Sequence, residues 1–167
     1  MSPLRVRSQA VLSTRAWVDA EHCFAVLDAC DAPAVYERML AAPPTEAVCL
    51  YRETADASLD MVAPWLVRVD AAMFAWITQT LWAEPFGILV RSGGSLEELR
   101  FHFRRFLRVR SPEGEAWMFR FYDPRVLPSF LEGCTPEQLS DFFGPVEAFG
   151  VVDAENYGVK ELVLERH

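Results

Sequence analysis

Asp123 and Arg125, with Arg120 just upstream and Arg91 at the end of an earlier apolar run, are the most site-like residues in the sequence. A carboxylate flanked by guanidiniums has the makings of a clamp for an anionic small molecule, because arginine presents a planar fork that matches carboxylate and phosphate oxygens. A plainer reading fits the same residues: Asp123 before Pro124 caps a helix, and an arginine pairs with it locally. The usual reaction centres are missing from the sequence. It holds no HExxH, GxSxG, GxxxxGK or GxGxxG pattern. His22 stands at a strand start, His102 at the border of an amphipathic helix and His167 at the terminus, positions that suit core-edge histidines better than ligands. Cys23, Cys30, Cys49 and Cys134 have neither metal-type nor redox-type spacing and read as free, buried thiols. No catalytic residue, metal or cofactor is expected.

A larger set of residues suggests a different chemistry. Arg100, Phe101, Arg104, Arg105, Arg108, Arg110, Arg120 and Arg125 crowd guanidiniums around one exposed ring. A solvated face, neutralised by the chain's own acids, accounts for the arginines. It does not account for Phe101, which helical spacing puts on the polar side within reach of Arg104 and Arg105. Aromatic and arginine neighbours are the usual substance of an interface hot spot, so this set is read as a surface that docks another protein.

The elements that must position these residues are legible. Phe86 to Val90 is a short apolar strand that ends at Arg91. Ser92, Gly93 and Gly94 break the chain, and Ser95 with Glu98 forms a capping box, so a helix begins at Leu96. Leu96, Leu99, Phe103 and Phe106 share its inner side, with Glu97, Arg100 and Arg104 opposite. Leu107 to Arg110 and Ala116 to Tyr122 alternate as the strands of a hairpin, joined by Ser111, Pro112, Glu113 and Gly114 in a type I turn. A helix is then expected from Asp123 and Pro124, short or kinked because of Pro128.

Outside this centre, strands are predicted at Cys23 to Leu27, Ala47 to Tyr51, Pro64 to Val69 and Val146 to Val152, with one possible strand at Leu162 to Leu164. Helices are predicted at Ala34 to Ala42, at Ala71 to Trp82 behind an Asp70 cap, and after the capping box of Thr135 and Gln138. Residues 52 to 61 read as irregular. Strands alternating with helices, then a hairpin, then two more helices, predict an α/β chain of mixed α+β type: a single domain with a mixed β-sheet, helices packed on it and a C-terminal hairpin-plus-helices portion. Residues 1–20 read as an N-terminal arm or leading helix, 21–153 as the domain, and 154–167 as an acidic tail.

Composition bounds the partners. The chain has 167 residues, 51% of them hydrophobic, enough for one well-filled core, and its 12 Phe and 5 Trp exceed what a bland core requires. Net charge is −8, yet residues 88–131 carry 8 Arg against 5 acids, and Lys160 is the one lysine. An acidic total argues against general nucleic-acid or anionic-membrane binding, and RNA stacking on the hairpin's aromatics ranks last among the readings. No signal-peptide h-region and no bilayer-spanning run is found, which predicts a cytoplasmic protein.

Six blocks carry a resemblance. APWLVRV (Ala63 to Val69), FGILVRS (Phe86 to Ser92), LEELRFHFRRFLRVR (Leu96 to Arg110), FRFYDPRVL (Phe119 to Leu127), FLEGCTPEQL (Phe130 to Leu139) and FFGPV (Phe142 to Val146), in this order, closely resemble the domain of unknown function 4123. That family comprises type VI secretion effector chaperones, also called adaptor proteins, and the likeness covers Cys23 to Asp153. The resemblance implies a non-enzymatic bacterial protein of the cytoplasm that binds a toxic effector and helps load it onto the spike protein. Its implied partners are that effector and that spike, with no nucleic acid and no membrane insertion. The family offers no agreed catalytic set to carry over. Pro128 departs from the helix-friendly residue expected there, and the chain lacks the long C-terminal extension of larger members.

Overall fold

A strand that is apolar on both faces needs cover on both, and Cys23–Asp28 (β2) is such a strand. Phe24 and Val26 enter one apolar cluster, while Cys23, Ala25 and Leu27 enter another across the sheet. Its neighbours repeat the alternation. In Pro64–Arg68 (β4) Leu66 sides with Phe24 while Trp65 and Val67 side with Ala25, and in Gly87–Ser92 (β5) Ile88 and Val90 part from Leu89 in the same way. The computed structural model, which describes residues 5–11, 17, 22–51, 57–153 and 158–165, places helices on both faces of one sheet.

Pro33–Ala41 (α1) and Ala71–Thr80 (α3) cover the first face with Val35, Met39, Met73 and Ile77. Asp70 caps α3, its carboxylate accepting from the Met73 N–H at 2.7 Å. Leu96–Arg104 (α4), Leu127–Glu132 (α5) and Pro136–Phe143 (α6) cover the other face, through Leu99, Phe103, Leu127, Leu131 and Leu139. Phe142 lies at the middle of that layer, its ring 5.1 to 5.7 Å from those of Phe106, Phe121, Phe130 and Phe149. One helical turn, Ala57–Asp60 (α2), precedes β4.

The mixed α+β class and the single domain are as the pattern predicts. The sheet differs from the expected mixture of parallel and antiparallel pairs. Arg5–Val11 (β1), Ala47–Cys49 (β3), Val146–Asp153 (β8) and Gly158–Glu165 (β9) complete it in the order β1-β9-β8-β5-β2-β4-β3, and every pairing is antiparallel. The alternation misleads for a geometric reason. Helix α3 joins β4 to β5, which do run parallel, but β2 lies between them and opposes both; β4 separates β2 from β3 in the same manner.

Two further expectations are corrected. The expected arm contains a strand, and the possible strand at Leu162 to Leu164 extends over most of the expected tail: Arg5–Val11 and Gly158–Glu165 pair residue for residue, Val6 opposite Leu164, with Arg7 and Glu165 joined at 2.8 Å. Neither strand alternates apolar and polar residues strictly along its 7 or 8 residues, so each is stabilised here by the neighbour it pairs with. The helix expected from Asp123 begins instead at Leu127, so Pro128 falls in its first turn. There its missing N–H would have had no partner in any case.

Candidate functional site

Helix α4 sets the predicted surface. Ser95 caps it, the hydroxyl accepting from the Glu98 N–H at 3.1 Å, and Leu96, Leu99 and Phe103 are buried as their spacing requires. Phe106, past the helix end, is half-buried. Phe101 points into solvent at 75% exposure. Most arginines around it have partners within the chain. Arg100 pairs with Glu97 at 2.7 Å, Arg105 with Asp141 at 3.0 Å, Arg125 with Asp123 at 2.8 Å, and Arg120 with Asp28. Arg104 turns back onto the fold, its guanidinium donating to the carbonyls of Cys49, Leu50 and Tyr51 at 3.0 to 3.2 Å. Arg108 and Arg110 are exposed, and among the described residues no carboxylate pairs with either.

Those two arginines lie on a hairpin. Arg108–Arg110 (β6) and Ala116–Met118 (β7) form a separate two-stranded sheet, closed by a turn in which the Gly114 N–H donates to the Ser111 carbonyl at 2.9 Å. All six strand residues are exposed, including Val109, Trp117 and Met118. The predicted second strand to Tyr122 stops at Met118; beyond it Phe121 and Tyr122 are both buried, which no alternating strand allows. Trp117 and Met118 are the surface residues that sequence reasoning missed. Apolar side chains on both faces of so short a hairpin were the available signal, since a two-stranded ribbon has no core of its own to bury them.

Two grooves meet at Arg104. One, of about 490 Å³, runs beneath the hairpin between Leu59, Val62, Leu107 and Met118, with Arg108 at its rim. The other, of about 390 Å³, lies between Leu40, Val48, Trp65 and Arg100. Tyr51 and Arg104 border both. The buried Arg100 Nε–H meets no acceptor among the described residues, which leaves a donor at the wall of the second groove.

The alternative cluster does not come together. Arg91 lies opposite Cys23 at one end of β2, pairs with Glu161 at 3.0 Å and stacks 4.4 Å from the Trp17 ring centre. Asp28, the partner of Arg120, stands at the other end of β2 and, by alternation, on the opposite face, about 17 Å away at ~3.4 Å per residue. What gathers around Asp28 is Arg120, Tyr51 and Tyr122, and burial, then the Asp28 charge, raises both phenols above their ordinary range. Asp123 accepts from the Arg125 N–H at 2.9 Å and from its side chain, which hold its carboxyl below the usual value. The local pair of the plainer reading is there, but the helix cap is not: the helix starts at Leu127 without a side-chain cap, and Asp123 closes a turn with Arg125 instead.

Burial pushes the Cys23 and Cys49 thiols up to about 11, so neither is a thiolate at neutral pH. Among the described residues no group of three His, Cys, Asp or Glu is placed to hold a metal. His102 is buried against Phe103 and Phe106 and donates Nε2–H to the Phe142 carbonyl at 2.7 Å. Gly144 at φ 47° leaves room for the ring, where a Cβ would come within 2.5 Å of it. Burial holds the His102 pKa below its ordinary 6.5, assisted by Arg105 and opposed by the Phe142 carbonyl and Asp141. The unfolded chain therefore takes up this proton first. The contribution of neutral His102 is complete above the ordinary value and declines as pH falls toward the lowered one. Urea midpoints measured from pH 7.5 to 5 should fall in the wild type and fall less in His102→Gln.

The class these features define is a mixed α+β domain that presents an arginine-rimmed apolar surface. The chain matches the family described as domain of unknown function (DUF4123) over residues 23–141 and belongs to that family. No curated protein and no solved structure matches it. Among the described residues no helix is long and apolar enough to cross a membrane.

Proposed function

We propose that this chain is a non-enzymatic chaperone or adaptor of the bacterial cytoplasm that binds a type VI secretion effector and helps load it onto the spike protein for export. The exposed hairpin carries the reading. Val109, Trp117 and Met118 stand in solvent beside Arg108 and Arg110, and Phe101 stands on the adjacent helix, although the chain has cores enough to bury such side chains. Exposed aromatic and arginine anchors hold a protein client without reacting with it. The resemblance of the six blocks to the effector-chaperone family supports this class of client.

The test is co-expression with the product of the gene next to the chain's own, taken as the candidate effector. Deleting the chain should lower effector abundance and secretion. Phe101→Ala with Trp117→Ala should weaken capture of the effector by about tenfold or more, as hot-spot truncation does. Unchanged capture by the double variant, and unchanged secretion on deletion, would remove the reading.

A further inference from the structure

We propose that the free edge of β6 accepts an extended acidic segment of a partner protein as a third strand, an apolar side chain of that segment entering the groove beneath the hairpin. The proposal rests on the reading that the chain holds a protein client and names the chemistry of the segment held.

The hydrogen-bond pattern locates the edge. The Phe119 N–H donates to the Leu107 carbonyl and the Ser111 N–H to the Glu115 carbonyl, both at 2.8 Å. Bonded and non-bonded pairs alternate along an antiparallel ladder, so Val109 opposite Trp117 is a bonded pair, and Arg108 opposite Met118 and Arg110 opposite Ala116 are not. The main-chain N–H and C=O groups of Arg108 and Arg110 therefore point away from β7. Among the described residues no backbone bond from outside the hairpin reaches them. A row of outward donors and acceptors is a template for strand addition.

Charge selects what is added. Arg108 and Arg110 are two residues apart, so their side chains share one face of β6, and neither has a carboxylate partner among the described residues. Residues of an added strand that stand opposite them share that face, where opposite charges attract and like charges repel. Glutamate or aspartate at alternate positions is the complement. The chain as a whole is acidic, at net −8, and repels such a segment elsewhere, which confines it to this edge. Leu59, Val62, Leu107 and Met118 then offer an apolar seat of about 490 Å³ next to the Arg108 end of the strand.

The probe is a fluorescein-labelled peptide of alternating glutamate and valine, titrated against the full chain by fluorescence anisotropy. It should bind, more weakly as salt rises. Binding should fall by about tenfold or more with R108E/R110E, with lysine in place of glutamate, or with alternate probe amides N-methylated. Met118→Glu should weaken it independently. Hydrogen exchange at the Arg108 and Arg110 amides should slow when the probe is bound. Absence of binding, equal binding to R108E/R110E, or indifference to N-methylation would overturn the proposal. So would a concentration-dependent dimer abolished by R108E/R110E, which would give the edge to a second copy. Effector capture retained by R108E/R110E overturns the strand edge alone, whereas a wild-type chain that captures no effector overturns the chaperone reading itself.

Discussion

Gly87→Ala is expected to leave little folded protein. Gly87 opens β5 opposite Leu27 at φ 143°, a conformation that side chains with a Cβ rarely adopt, and an added Cβ would overlap the Val26 carbonyl. Backbone has no rotamer by which to yield. The Asp28 N–H donates to the Phe86 carbonyl at 2.9 Å just beside it, so separating the strands would also loosen the residue that holds Arg120. Strain and lost pairing together should cost about 4 kcal/mol or more, a large share of the ~5–15 kcal/mol by which domains are stable. Thermal melting and soluble yield read the result. Gly93→Ala is the control, since the nearest atom to its added Cβ is a Glu147 carboxylate oxygen at an ordinary 3.7 Å. A Gly87→Ala protein melting within a few degrees of wild type would show that the strands can part there without penalty.

The local grammar that sequence carries was strong where a single residue type does a local job. Thr135 and Gln138 form both halves of their capping box, Ser95 and Asp70 cap where expected, and the Ser111 to Gly114 turn closes as its proline and glycine require. Periodicity found the inner face of α4, where Leu96, Leu99 and Phe103 are buried, because burial enforces it. What stayed hidden depends on distant partners. Sheet order is set by which strand intervenes between two others, and nothing local to β4 or β5 announces that β2 will lie between them. The arginines were legible as a cluster, but their division into internal partners and free charges was not. Asp28 lies in a different part of the chain from Arg120, and Asp141 from Arg105.

Arg104 and Phe101 sharpen that division, because both read as partner-binding residues from sequence and stand three apart on one helix. Arg104→Met should destabilise the protein by about 2–3 kcal/mol, since the carbonyls of Cys49, Leu50 and Tyr51 lose a charged donor and Leu50 lies fully buried. Arg104→Lys should recover little, because a single ammonium cannot reproduce the planar fork that spans three acceptors. Phe101→Ala, removing a ring already in solvent, should change stability by less than about 0.5 kcal/mol. Urea denaturation of the three variants decides the matter. Should Arg104→Met keep the wild-type midpoint while losing effector capture, the guanidinium would be serving the client and not the fold. The expected order has a consequence for reading binding data: Arg104 borders both grooves, so its removal reshapes each, and lost capture in that variant would not identify a contact. Phe101→Ala carries no such ambiguity, so any capture it loses measures the ring itself.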